Sequence, residues 1–348
     1  MKKSLLALAA LTAFAGVASA QSSVTLFGVV DLNLRGVDNG TGTRSTLSQD
    51  GNASSRLGFR GVEDLGGGMK AGFWLEAGVN PDIGGTNMIA GTNQLPTGAA
   101  VPAQNGISQF FNRRSTVSLM GGFGEVRLGR DYTPTFWNHT VFDPFGTNGV
   151  GSQTNIQGTA GSPAQTLVRA NNTVGYFLPS LGGLYGQVQY AMDEGAAPGN
   201  EYMGGRIGYA AGPVNVAGAY GETKLPGTNL KAWNVGASFN MGFMTIMGQV
   251  HEYKYGANKQ TNFLVGATVP LGAGTLKASF GETKFGNKAT QIAVGYVYDV
   301  SKRTALYVHA SQVDNDAGKA YTAGGGGKTN GAGGFKSTGY ELGLRHSF

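Results

Sequence analysis

From Val24 to Arg35 the chain alternates strictly: Val24, Leu26, Gly28, Val30, Leu32 and Leu34 on one side, Thr25, Phe27, Val29, Asp31, Asn33 and Arg35 on the other. Period-two alternation over about a dozen residues means a long β-strand with one apolar and one mostly polar face. Strands of soluble sandwiches are about half that length. A tilted strand that crosses a bilayer needs about 9–11 residues.

The pattern recurs along the whole chain. Leu57 and Phe59 alternate with Arg56 and Arg60; Ala71, Phe73 and Leu75 with Lys70, Trp74 and Glu76; Val126 and Leu128 with Glu125 and Arg127. The last segment sets Tyr340, Leu342, Leu344, His346 and Phe348 against Glu341, Gly343 and Arg345. Counting such segments predicts about sixteen strands. Short Gly, Pro and Asn connections such as Gly121–Gly124, Gly212-Pro213 and Pro270–Gly274 alternate with longer ones at 36–53, 77–110, 131–170, 191–203, 221–230, 251–262, 282–290 and 311–338. Strict short–long alternation puts every tight turn at one end of a barrel and every long loop at the other, as in outer-membrane barrels.

One strand alone does not say which face meets water. Number does: sixteen long strands enclose more space than a core of Leu and Val can fill, and barrels of that size hold an aqueous channel. The polar faces therefore line a wet lumen, the apolar faces meet lipid, and closure satisfies the backbone at membrane depth. The expected fold is an all-β transmembrane antiparallel barrel.

Composition narrows this further. Residues 1–20 read as a secretory signal, with Lys2 and Lys3, an apolar run from Leu5 to Val17, and a small-x-small site at Ala18-Ser19-Ala20. Residues 21–348 then form one barrel domain. Without Lys2 and Lys3 the charge falls from +6 to +4, spread singly, which excludes the clustered basic face of a nucleic-acid binder. Cysteine is absent, so disulfides, thiolate metal sites and cysteine nucleophiles are excluded. The histidines 139, 251, 309 and 346 stand singly, without metal-ligand spacing, and no cofactor is expected.

The connection 131–169 stands apart. Loops of that length are functional or disordered, and Tyr132, Phe136, Trp137, Phe142 and Phe145 are too many large rings for a solvated tail. An aromatic loop that carries Asp131 and Asp143 needs a wall to pack against. Strand parity places Arg35, Arg56, Arg60, Lys70, Arg114, Arg127, Arg206, Lys277 and Arg345 on the lumen face, opposed by Asp31, Glu76, Glu125 and Glu341. Arginines facing an acidic loop would set a transverse field, and charged rings of this kind govern ion preference. The basic excess on the lumen face predicts a weak anion preference.

Several stretches also resemble the Gram-negative general porins of the Neisseria–Burkholderia–Comamonas type. They are the start Gln21-Ser-Ser-Val-Thr-Leu-Phe-Gly28, the run Ser55-Arg-Leu-Gly-Phe-Arg-Gly-Val-Glu-Asp-Leu65, Gly122-Phe-Gly-Glu-Val-Arg-Leu-Gly-Arg130, Val300-Ser-Lys-Arg-Thr304 and the terminal Leu344-Arg-His-Ser-Phe348. The resemblance spans essentially the whole mature chain. It implies a homotrimeric, sixteen-stranded passive diffusion channel for small hydrophilic solutes and ions, in contact with outer-membrane lipid and lipopolysaccharide. It implies that the third long loop folds into the lumen, with Asp143-Pro144-Phe145 matching the family's acid-Pro-Phe element. It ranks Arg56, Arg60, Arg114 and Arg127 first as eyelet residues, with Arg35 and Arg169 beside them. Phe348 resembles the signal read by the outer-membrane insertion machinery. The competing readings are a substrate-specific channel and a barrel-borne enzyme. His139 with Asp131 or Asp143 is the one local acid–imidazole pairing, and it lacks a nucleophile.

Overall fold

Residues 23–86, 109–164, 166–194, 200–324 and 333–348 are described by a computed structural model; the leader expected at 1–20 lies outside them. Apolar side chains point outward and polar ones inward. Val24, Leu34 and Ile292 are each more than 60% exposed, whereas Asp31, Asn262, Gln260 and Glu341 are within 1% of complete burial. In water such a surface would aggregate; in a bilayer it is the low-energy arrangement.

The strands are β1 (Ser23–Asp38), β2 (Thr43–Gln49), β3 (Arg56–Gly66), β4 (Met69–Asn80), β5 (Gly85–Thr86), β6 (Arg114–Gly121), β7 (Gly124–Tyr132), β8 (Arg169–Phe177) and β9 (Leu184–Ala191). They continue with β10 (Tyr202–Ala211), β11 (Val214–Thr223), β12 (Leu230–Asn240), β13 (Thr245–Tyr255), β14 (Asn258–Leu271), β15 (Gly274–Phe285), β16 (Asn287–Asp299), β17 (Thr304–Asn315) and β18 (Lys336–Ser347). Each pairs antiparallel with its neighbours, and β1 closes on β18, with Val29 opposite Ser347 and Asp38 opposite Thr338. Phe348 completes the seam: its N–H donates to the Gly28 carbonyl at 3.1 Å and its carbonyl accepts from the Gly28 N–H at 3.0 Å.

β2 and β3 both pair with β1 and are one stave broken at residues 50–55, while β5 is a two-residue extension off β4. The wall is therefore a closed sixteen-stave barrel. The break has a cause in Asp31. Its carboxylate accepts from the N–H groups of Gly51 (3.3 Å), Asn52 (3.0 Å) and Ala53 (2.7 Å), and from the Tyr307 hydroxyl. Asp31 is thus a structural acceptor that folds this segment inward, and not a free lumen acid.

The strict short–long alternation is a correction. Segments 36–53, 251–262 and 282–290 are mostly strand: β1 and β2 run to 38 and from 43, two residues join β13 to β14, and Gly286 alone joins β15 to β16. Above the apolar band these strands carry Lys, Glu, Gln and Thr on both faces, so alternation fades although the ladder continues.

Candidate channel constriction

The connection between β7 and β8 (residues 133–168) enters the barrel. Helix α1 (Pro134–Val141) opens it, with Pro134 in the first turn, and a 3₁₀ turn follows at Gln153–Ile156. Two short helical turns rich in aromatic and β-branched residues leave no periodic signal, which is why the sequence reads as structureless there.

Side-chain amides from the wall seat α1 against β9–β12. Asn138 Nδ2 donates to Asn234 Oδ1 (2.8 Å) and its Oδ1 accepts from Arg206 Nε (2.5 Å); Asn234 donates in turn to the Thr135 carbonyl (2.8 Å). Gln249 donates to the His139 carbonyl (3.1 Å), and Tyr253 Oη lies 3.1 Å from His139 Nε2. The histidines at 139 and 251, single in sequence, meet in space with ring centroids 4.1 Å apart. Among the described residues no group of acids and histidines forms a metal site.

Further along, the loop lies in a track made by missing side chains. Phe142 sits fully buried against Gly236, where a Cβ would overlap its ring; a Cβ on Gly266 would stand 2.5 Å from Pro144 Cγ. Phe145 packs edge-on to His309, with centroids 5.3 Å apart. The Val150 carbonyl accepts from Gln291 (2.9 Å) and Ser311 (2.6 Å), and Gln153 donates to the Phe263 carbonyl (3.1 Å). The loop tip reaches the broken stave, where Ser54 Oγ donates to Asn148 Oδ1 at 2.9 Å. The loop is bound to the β9–β18 side.

Asp143 does not present its carboxylate to the lumen. It is 4% exposed and accepts from the N–H groups of Phe145 (2.8 Å), Gln153 (3.2 Å) and Thr147 (3.4 Å), folding the loop on itself. Burial pushes its carboxyl up to about 6 against those hydrogen bonds and Lys277. The expected acidic loop face is therefore absent at this residue, because the loop's own backbone consumes the charge. Phe145 anchors the loop and is likewise buried.

The arginines gather on the other side, on β3 to β8. Glu76 Oε1 accepts from Arg113 Nε (2.6 Å), with Arg56 Nη1 at 3.6 Å, and Glu76 Oε2 accepts from Trp74 Nε1 (3.0 Å). Tyr132 Oη accepts from both Arg113 (3.1 Å) and Arg169 (2.7 Å), and Arg169 Nε donates to the Arg113 carbonyl (2.8 Å). Below this node, aromatic faces hold the guanidiniums: Arg60 lies 5.2 Å and 5.1 Å from Phe27 and Trp74, Arg114 4.6 Å from Trp74, and Arg127 3.9 Å from Phe177. Arg127 pairs with Glu125 (2.8 Å) and Asp131 (2.5 Å), with Arg114 3.9 Å from Asp131. Asp131 closes the end of β7 and belongs to the wall. Arg60, Arg114 and Arg127 share a lumen recess of about 400 Å³ with Glu125.

Arg35 stands apart from this cluster. Its guanidinium is taken by Glu341 (2.9 Å), the Gln49 carbonyl (3.2 Å) and the Gly324 carbonyl (3.3 Å), while Glu341 also accepts from the Val150 N–H (3.3 Å) and lies 2.9 Å from His309 Nδ1. Parity reasoning missed Arg113 and Arg130. Arg113 precedes the first residue of β6, so the alternation does not reach it. Arg130 sits at a register shift between Gly129 and Asp131, which turns consecutive residues inward; it donates to the Asn112 carbonyl (2.6 Å) and Asn171 Oδ1 (2.6 Å). Bulges commonly re-aim side chains beside functional sites. The pair Arg113-Arg114 was the available signal.

A closed barrel with an apolar exterior, a polar interior and an in-folded, side-chain-anchored loop defines an outer-membrane channel protein. The chain matches the family model of the Gram-negative porins over residues 7–318, and it belongs to that family. It is 39% identical to Outer membrane porin protein 32 of Delftia acidovorans over the full length of both chains, and 29% identical to a Major outer membrane protein P.IB of Neisseria meningitidis serogroup B, again over both full lengths. The Anion-selective porin from Comamonas acidovorans superposes with a TM-score of 0.80 at 36% identity, covering 94% of this chain and 100% of that one. Salmonella typhi OmpF shares the fold, with a TM-score of 0.64 at 17% identity over 93% and 97% of the two chains. The protein is a porin of the bacterial outer membrane, a passive channel for small hydrophilic solutes.

Proposed function

We propose that the pore favours anions and that Arg56, Arg113 and Arg169, gathered around Glu76 and Tyr132, form its selective rim. The carrying observation is the charge balance of that wall. Arg56, Arg60, Arg113, Arg114, Arg127, Arg130 and Arg169 outnumber Glu76, Glu125 and Asp131, and the loop opposite spends Asp143 internally. Rings of one sign raise the local concentration of counter-ions in a low-dielectric constriction. A relative of the same fold is named an anion-selective porin, which supports the same sign. Solutes are filtered by size and charge, no reaction is catalysed, and the working assembly is a homotrimer delivered to the membrane through its terminal Phe348.

The test is reversal potential across a planar bilayer under a KCl gradient. Chloride preference that weakens in Arg113→Ala and Arg169→Ala supports the reading. Potassium preference of the native channel, or chloride preference indifferent to both changes, overturns it. Solute-specific block of conductance by one substrate class would favour a dedicated channel instead.

A further inference from the structure

The wet face of β3, β4, β6 and β7 breaks its own rule at one place. There Val62 of β3 stands across from Gly72 of β4, Gly72 from Ser118 of β6, and Ser118 from Arg127 of β7. The rung on one side holds Arg60, Trp74 and Thr116, and the rung on the other holds Lys70, Met120 and Glu125. Val62 and Met120 are apolar on a face that is otherwise polar, and Val62 is 45% exposed. Gly72 between them offers no side chain, and Met120 leans over it: a Cβ there would stand 2.9 Å from Met120 Cε.

These residues give an apolar floor to the recess of about 400 Å³ that Arg60, Arg114 and Arg127 share. Small-molecule sites occupy about 300–1,000 Å³. The gap at Gly72 is a slot between Val62, Met120 and the Trp74 ring, a shape for a flat body. It lies toward the tight turns, four residues along β4 from Glu76, or about 13 Å at about 3.3 Å per residue. It is therefore separate from the rim at Arg56, Arg113 and Arg169.

The charges of the recess are unevenly met. Arg127 is taken by Glu125 and Asp131, and Arg114 donates to Thr116 Oγ1 (3.1 Å) with Asp131 at 3.9 Å. Arg60 is held by the ring faces of Phe27 and Trp74. Among the described residues no acid and no hydrogen-bond acceptor takes any of its N–H groups, of which a guanidinium has five. A guanidinium stacked on its face and open at its edge receives a planar carboxylate through two parallel N–H···O bonds. The floor selects the rest of the ligand, because covering Val62 and Met120 with an apolar body removes their surface from water.

We propose that this recess binds small monocarboxylates that carry an apolar ring, of the benzoate type. The carboxylate lies on Arg60 with Arg114 beside it, and the ring enters the slot at Gly72 against Trp74, Val62 and Met120. The site is set into the wall beside the path, so inorganic ions still pass. It neither requires nor sets the chloride preference of the rim.

Folded protein in detergent is titrated with benzoate, with acetate (the charge without the ring) and with benzyl alcohol (the ring without the charge). Trp137→Phe/Trp233→Phe leaves Trp74 as the one tryptophan, and its fluorescence reads the recess directly. Benzoate is expected to bind saturably, at least tenfold more tightly than either control. Arg60→Gln in that background should weaken benzoate at least tenfold, the loss of a charge-assisted hydrogen bond. Val62→Thr keeps the shape of the floor, removes its apolar character and should weaken benzoate while leaving acetate unchanged; the barrel melting temperature checks the folding of both variants. Arg169→Ala, a change at the rim, should leave benzoate binding intact whatever it does to the reversal potential. Benzoate no tighter than acetate or than benzyl alcohol overturns the proposal, as does native affinity in Arg60→Gln. Loss of binding in Arg169→Ala would place the ligand at the rim and overturn the recess assignment.

Discussion

The in-folded loop is held by shape, and Phe142 is where shape matters most. Its ring is completely buried against the backbone of Gly236. Truncation in Phe142→Ala removes that burial and leaves a cavity, a change that costs about 3–5 kcal/mol in close-packed sites. The ring contacts the wall across the loop and not between staves, so the loss falls on loop docking and leaves the strand ladder whole. Such openings are local and sub-global. At about 1.4 kcal/mol per tenfold, 3 kcal/mol raises the undocked fraction at least a hundredfold. Single-channel recording should show more open-channel noise and a higher mean conductance, with a nearly unchanged barrel melting temperature. Gly236→Ala should do the same from the wall side, because the new methyl occupies the ring's place. In Phe142→Ala/Gly236→Ala the methyl partly fills the cavity, so the double variant should be quieter than either single one. A quiet Phe142→Ala channel with native conductance, or a double variant noisier than both singles, would refute the docking argument.

Glu76→Gln removes the carboxylate between Arg56 and Arg113 and should move the reversal potential toward chloride; a unit charge at contact distance is worth about 1 kcal/mol in water-like surroundings, several-fold in permeability ratio. An unchanged or potassium-shifted potential speaks against the rim assignment. Asp31→Ala strips the acceptor from the N–H groups of Gly51, Asn52 and Ala53 and should cost about 1–3 kcal/mol, seen as faster hydrogen exchange confined to residues 50–55. The loop has two opposed titrations. Burial holds His139 neutral down to about 4, so its contribution is complete above the ordinary imidazole range near 6.5 and is lost as pH falls from there toward 4. Asp143, raised to about 6, acts in reverse: its buried charge costs more as pH rises from about 4 through 6. Each amounts to about 3 kcal/mol, so they nearly cancel in the native chain between pH 4 and 6. Asp143→Asn should unmask acid destabilisation, and His139→Gln should make the chain more stable on acidification; thermal melts of both variants across that range, with parallel slopes as the contrary result, decide it.

The wall was readable from the chain because lipid and water impose a residue-by-residue rule on a strand. Val24 to Leu34 and Tyr340 to Phe348 announce both their length and their inward face. The same rule failed where the environment stops alternating. Beyond the apolar band, β13, β14 and β15 run on through Glu252, Lys259 and Lys284, and the residues expected in loops there are strand. It failed also where local geometry overrides parity, at Arg113 before β6 and at Arg130 beside the register shift.

What the sequence determined alone was the class: an inverted barrel of about sixteen staves, a wet basic lumen, and one aromatic loop too greasy to be left in solvent. Alternation, strand number and hydropathy are local properties, additive along the chain. The tertiary structure alone decided which charges are free. Asp31, Asp143, Glu341 and Arg35 look like pore charges in one dimension, yet each is consumed by partners between 2 and 306 positions away. Hydrogen-bond saturation and close approach, Phe142 on Gly236 or Tyr132 between Arg113 and Arg169, depend on distances that no periodicity encodes.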